Sequence, residues 1–294
     1  MEKKYGIDVS TWQGNIDWNR VKTDFAILKA GYGSYESQID GHFEANYNAC
    51  KANNVPVGAY WYSYALTPAQ AVKEAETCLK AISGKQFEYP IFFDIEERRQ
   101  FVTGKNNCSE IVKAFCSTLE KAGYFVGIYS SKSHLEAYLT EEVRNRYAVW
   151  VAHYVLEKTS YSGNFGMWQH TDKGHVDGIK GDVDLDYCYV DYPSIIKNAG
   201  LNGFKKAAAE TATATTAKPE PQKIRKGEKI TLKNAKLYAN AYTKNVSNKV
   251  SGEYYIYDAQ SVNGRLRITN APENCGKTPL NVFVTGWIGV CELK

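Results

Sequence analysis

The chain has 294 residues, 44% of them hydrophobic and 23% charged, with a formal net charge of +4. That hydrophobic share is ordinary for a globular protein, and the length predicts two domains. No run of eighteen apolar residues occurs, which excludes a membrane-spanning helix. Seven cysteines (50, 78, 108, 116, 188, 275 and 291) form no CxxC pair and no zinc spacing, and the five histidines are scattered, so neither a metal site nor a cofactor is implied. Cys50, Cys78, Cys108 and Cys116 read as small core residues, and Cys275 with Cys291 is the candidate disulfide.

In chain order, 4–9 predicts a short strand that gives way to a loop at Asp8. Segments 15–23 and 40–53 read as helices on either side of a second strand, 25–30. An aromatic strand over 55–64 carries Tyr60, Tyr62 and Tyr64 at alternate positions. Thr67-Pro68 suits an N-cap followed by proline at the first helical position, opening a helix over 68–83. The apolar strand 89–96 ends in Asp94-Ile95-Glu96-Glu97. Side chains alternate across a strand, so Asp94 and Glu96 share a side. Mutual repulsion and partial burial of two such acids predict split proton affinities, the division of labour that glycosidic cleavage requires. Glu97 has the opposite parity and reads as solvated or paired with Arg98 or Arg99.

A helix over 107–122 ending at Gly123 precedes strands at 124–130, 147–154, 166–170 and 183–190. Tyr129 ends the first of these, Trp150 and Tyr154 lie on the second, and Trp168 and Gln169 on the third. In the last, Asp182, Asp184 and Asp186 alternate with Val183 and Leu185. Asp184 is the candidate site acid, and Asp182 and Asp186 read as rim residues. Eight strands interleaved with helices predict a (β/α)8-type barrel, irregular because little helix separates the last three. Its active site would lie at the C-terminal ends of the strands, where Asp8, Asp94, Glu96 and Asp184 would meet.

Asp8-Val9-Ser10 with Gln13-Gly14, then Asp94-Ile95-Glu96, then Trp168-Gln169, then Gly178-Ile179 with Val183-Asp184-Leu185 resemble the signature blocks of glycoside hydrolase family 25, the lysozyme family. The blocks occur in order over roughly the first two-thirds of the chain. The resemblance implies an N-acetylmuramidase cutting the β-1,4 bond between N-acetylmuramic acid and N-acetylglucosamine in peptidoglycan, with retention of configuration. It implies catalytic Glu96, Asp94, Asp8 and Asp184, and sugar contacts at Tyr62, Tyr129 and Gln169. Tyr32, Trp150 and Tyr154, also at strand ends, are further candidates. The nucleophile is either the substrate's N-acetyl oxygen or a carboxylate. The N-terminus shows no signal-peptide core, which predicts cytoplasmic synthesis and action on the wall after release, phage lysis being the obvious route.

Residues 207–222 are Ala/Thr-rich, end in Pro-Glu-Pro-Gln and contain no large apolar side chain, the composition of a linker. Catalytic domain 1–206 carries a net charge of −2, whereas 223–294 carries +7. Short strands at 254–257, 265–269 and 282–288, with an Asn263-Gly264 hairpin turn, predict a small all-β barrel that resembles bacterial SH3-like wall-binding domains. Its expected partner is an anionic wall polymer or peptidoglycan; no nucleic-acid motif accompanies the charge.

Overall fold

The computed structural model describes residues 3–205, 224–238, 241, 246–262, 264–277, 284–290 and 293. The chain divides into two units, Met1–Glu210 and Thr211–Lys294. That boundary falls within the expected linker, which lies outside the described residues, as do Cys291 and Asn263.

In the first unit, β1 (Lys4–Val9), β2 (Phe25–Tyr32), β3 (Val57–Tyr62), β4 (Ile91–Asp94), β5 (Val126–Ser131), β6 (Ala148–Ala152), β7 (Met167–Gly174) and β8 (Val183–Cys188) close into a barrel in chain order. The first seven run parallel, and β8 is antiparallel to both of its neighbours, β7 and β1. This reversal is one source of the irregularity; the other is the helix-free connection 153–166 between the parallel β6 and β7. An antiparallel pair needs only a short connection, so no helix separates β7 from β8.

Among the described residues, seven α-helices surround or cap the barrel: α1 (Phe43–Ala52), α2 (Pro68–Ile82), α3 (Arg98–Val102), α4 (Lys105–Lys121), α5 (Lys132–Tyr138), α6 (Glu141–Arg146) and α7 (Tyr192–Ala199). The Thr67 hydroxyl accepts the Gln70 N–H at 3.3 Å and starts α2. Ala71, Ala75, Cys78 and Ile82 are buried along α2, the spacing of an amphipathic face. The expected helix over 15–23 does not form. Asp17 folds the segment into a turn by accepting the Asn19 N–H, and its own N–H donates to the Gly178 carbonyl at 2.9 Å.

Alternation along the strands separates two cores. Val9, Leu28, Trp61, Phe93, Ile128 and Val151 point outward into the larger core with the helices. Phe25, Ile27, Phe92, Trp150, Met167 and Cys188 point inward and fill the barrel. The inward parity therefore also belongs to Asp8, Lys29, Tyr60, Tyr62, Asp94, Tyr129, Gln169, Asp184 and Asp186.

The second unit is a closed barrel of β9 (Lys229–Tyr238), β10 (Asn248–Ile256), β11 (Arg265–Thr269) and β12 (Gly286–Gly289). Leu232, Ala235, Ile256, Leu266, Ile268 and Ile288 form its core. β9 and most of β10 were not expected. Their apolar alternation is diluted by lysines and shifted by a bulge between Val250 and Gly252. Val262 and Arg265 exchange both backbone hydrogen bonds around the expected hairpin turn.

Candidate active site

Barrel closure brings the acids together at one rim. Asp8 at the end of β1 lies opposite Asp184 in the β1–β8 ladder. Because β8 is reversed, Asp184 sits near its beginning yet at the same rim as the ends of the parallel strands. Asp94 ends β4 between Tyr62 of β3 and Tyr129 of β5. Glu96 follows two residues later, half-buried, whereas Asp94 is only 2% exposed.

The floor is tied by hydrogen bonds. Gln169 donates through Nε2 to Asp8 Oδ2 at 2.7 Å. Its Oε1 accepts from the hydroxyls of Tyr129 at 2.7 Å and Tyr154 at 2.9 Å. Trp150 Nε1 donates to Asp186 Oδ1 at 2.7 Å. The segment after β4 is fixed from both sides: Ser63 N–H donates to the Asp94 carbonyl at 3.0 Å, and Ser130 Oγ donates to the Ile95 carbonyl at 2.5 Å.

This packing raises proton affinities. Burial holds Asp94 well above the usual carboxylate range, and the charge and hydrogen bond of Glu96 add to it; the Lys29 ammonium opposes both. Burial also raises Glu96, against its hydrogen bond with Asp94 and the pull of Lys29. Asp8 is pushed up by burial and by the charges of Asp184 and Asp186. Asp184 is raised to about 6 by burial and by the charge of Asp172. Two interacting carboxyls of raised affinity hold protons more tightly than free acids and titrate as a pair, the arrangement that general-acid work beside an anion needs.

The pattern of glycosyl hydrolases family 25 matches residues 7–179. The chain belongs to this family. Family 25 lysozymes are glycoside hydrolases that act on peptidoglycan, and this chain hydrolyses that polymer. It is 33% identical over 200 residues to the uncharacterized protein YegX of Escherichia coli O157:H7, covering 62% of this chain and 68% of that one. To the autolytic lysozyme of Clostridium acetobutylicum it is 28% identical, over 62% of this chain and 54% of the relative. Among solved structures, the CTP1L endolysin superposes with a TM-score of 0.60 at 27% identity, over 66% of this chain and 70% of that one.

Within this family 25 barrel the expected sugar contacts fall into two groups. Tyr62, Tyr32 and Tyr154 are at least partly open to solvent. Tyr129 and Gln169 are buried at 7% and 3% exposure and belong to the floor. Trp150 is corrected: at 1% exposure, packed against Tyr129 and Phe92, it has no face for a sugar and serves to hold Asp186. Asp186 is corrected as well. It is not a rim residue but is 1% exposed within the barrel. Asp182, by contrast, is exposed. Glu97 accepts the Tyr62 hydroxyl at 3.0 Å rather than pairing with an arginine among the described residues.

Lys29 was missed. Its ammonium lies 5.3 Å from the Tyr62 ring, 5.7 Å from Tyr32 and 5.9 Å from Tyr60. A lysine inside the apolar strand Phe-Ala-Ile-Leu-Lys-Ala was the signal that could have found it, since a half-buried cation among apolar neighbours needs partners.

Proposed function

We propose that this hydrolase cleaves the β-1,4 bond between N-acetylmuramic acid and N-acetylglucosamine, with Glu96 as the proton donor. The pairing of half-buried Glu96 with nearly inaccessible Asp94 carries this reading. Glu96 can reach a leaving oxygen in the cleft, whereas Asp94, 2% exposed, is poorly placed to attack a sugar carbon. That favours the substrate's own acetamido oxygen as nucleophile. It bonds to the anomeric carbon as the glycosidic bond breaks, and the Glu96 proton passes to the leaving oxygen. Water then opens the cyclic intermediate and returns a proton to Glu96, with net retention. Asp94 orients the acetamido group and stabilises its developing positive charge. Asp8 and Asp184 bind hydroxyls and tune the pair, and Tyr62, Tyr32 and Tyr154 line the sugar path.

The test is mass spectrometry of digested peptidoglycan. New reducing ends on N-acetylmuramic acid are expected, with retained configuration in the first product. Reducing ends on N-acetylglucosamine would refute the bond assignment.

The second unit is proposed to anchor the enzyme to the wall. The +7 charge of 223–294 supports this, since walls carry anionic polymers. An endolysin role in phage lysis, after synthesis in the cytoplasm, is the proposed setting, supported by the likeness to the CTP1L endolysin. Autolysis by the same chemistry would instead leave purified wall of the producing cell as the preferred substrate.

A further inference from the structure

Helix α2 carries a carboxyl group with no part in the cleft. Glu74 is 1% exposed, yet its oxygens are fully engaged by the segment that follows β3. Oε2 accepts the Ser63 hydroxyl at 2.6 Å, and Oε1 accepts the Tyr64 N–H at 2.9 Å. Ser63 Oγ in turn accepts from the Ala65 N–H and from Gln100 Nε2, both at 3.1 Å. Gln100 Nε2 also donates to the Ala65 carbonyl at 3.1 Å, and Gln100 Oε1 accepts the Glu97 N–H at 3.1 Å. The chain of bonds thus runs from α2 to the residue next to Glu96. On the way it fixes Tyr64, whose ring lies 5.2 Å from Tyr62 and 6.0 Å from Tyr32.

The network works for only one charge state. A hydroxyl has one proton to give and two lone pairs to offer. With Glu74 ionised, Ser63 gives its proton to Glu74 and its lone pairs to Ala65 and Gln100, so every group is satisfied. A proton on Oε2 would face a hydroxyl whose lone pairs are taken. A proton on Oε1 would face the Tyr64 N–H. Either placement breaks at least one buried bond and leaves a polar group there unsatisfied.

We propose that ionised Glu74 is a positioning residue for the reaction: through Ser63 and Gln100 it holds the Glu96–Glu97 segment and the Tyr62–Tyr64 wall in their working geometry, and its protonation releases them. This rests on Glu96 as the acid. Burial raises Glu74 to about 7, opposed by the hydrogen bonds from Ser63, Tyr64 and Ala65. The release therefore falls near neutral pH. The ionisable groups around the network are Cys78 on the same helix, Cys108 of α4, whose thiol donates to the Gln100 carbonyl at 3.1 Å, Tyr62, whose hydroxyl donates to Glu97, and Tyr64, which feels Glu74 together with Glu97 and Arg99 from the β4–α3 segment.

Glu74→Gln places an uncharged amide, with a donor on one side, where the carboxylate stood. It should behave as the released state at every pH. Turnover on soluble glycan fragments is expected to fall on the order of tenfold at about pH 8, the rate equivalent of one charge-assisted hydrogen bond, and to approach that of the wild type at about pH 5.5. A pH profile of Glu74→Gln parallel to that of the wild type would overturn the proposal. A second arm needs no variant and no catalysis. In the wild type, amide exchange at Tyr64, Ala65 and Glu97, corrected for intrinsic rates, should be faster at about pH 6 than at about pH 8, relative to amides of β5. Equal relative protection at both pH values would overturn the proposal even with Glu96 secure. The expected exchange pattern with Glu96 shown to be dispensable would instead remove only the catalytic reading.

Discussion

At the scale of single residues, the site concentrates acids where their ionisation is costly. Glu96→Gln keeps the shape of the side chain but removes the proton that the leaving oxygen needs. Turnover in a wall-turbidity assay should fall by about a hundredfold or more, with an unchanged circular dichroism spectrum; near-normal lysis would remove Glu96 from the acid role. Asp186 shows what such acids cost the fold. Its proton affinity in the folded state is raised well above normal by burial and the charge of Asp184, so the native chain holds a proton that the unfolded chain releases above about pH 4. Its contribution to stability is therefore full below the unfolded value and declines as pH rises toward the folded one. Asp186→Asn keeps the acceptor for Trp150 and lacks that decline. Its melting temperature should exceed that of the wild type at about pH 7.5, by about 2–4 °C for each kcal/mol gained, and the gap should close near pH 4. A gap independent of pH would mean that packing, not charge, made the difference.

At the scale of elements, the barrel depends on close approaches between strands. A Cβ at Gly127 of β5 would lie 2.5 Å from the Phe92 ring and 2.9 Å from the Ala148 carbonyl. The backbone oxygen cannot move without disturbing the β5–β6 ladder. Phe92 is itself pressed against Trp150, with ring centroids 5.1 Å apart. Gly127→Ala is thus an overpacking change, expected to destabilise by about 1–3 kcal/mol in urea unfolding and to lower activity by disturbing Tyr129 two residues on. Full stability in this variant would show that the interior has slack. The reversed β8 is the other defining element. It replaces a crossover helix by a hairpin-like return and carries both Asp184 and Asp186 inward.

At the scale of the whole molecule, each unit has its own core, and the segment between them contains no large apolar residue. A chain ending at Lys206 should fold and still cut soluble peptidoglycan fragments at close to the full rate. On intact walls its activity should drop, because local concentration at the surface is lost. Residues 223–294 fused to a fluorescent protein should label walls, more weakly as salt rises. Absence of labelling at low salt would refute the anchoring role.

Much of this architecture was legible in the sequence because burial is periodic. Strands with apolar residues on both faces announced all eight barrel staves, and Asp94-Ile95-Glu96 at the end of one of them announced an acid pair on a shared side. Asp8 and Asp184 could be placed at the rim once barrel closure was assumed. Tertiary structure alone decided the rest. Periodicity reports that a side chain is buried, not which neighbour it meets or how fully water is excluded. Trp150 therefore read as a sugar platform until closure of β5 and β6 covered it, and Asp186 read as a rim acid until the reversal of β8 turned it into the floor. Lys29, Glu74, Ser63 and Gln100 acquire their roles from partners distant in sequence, Ser63 for Gln100 and Asp94 for Lys29 among them, and that proximity is a property of the closed barrel rather than of any local pattern.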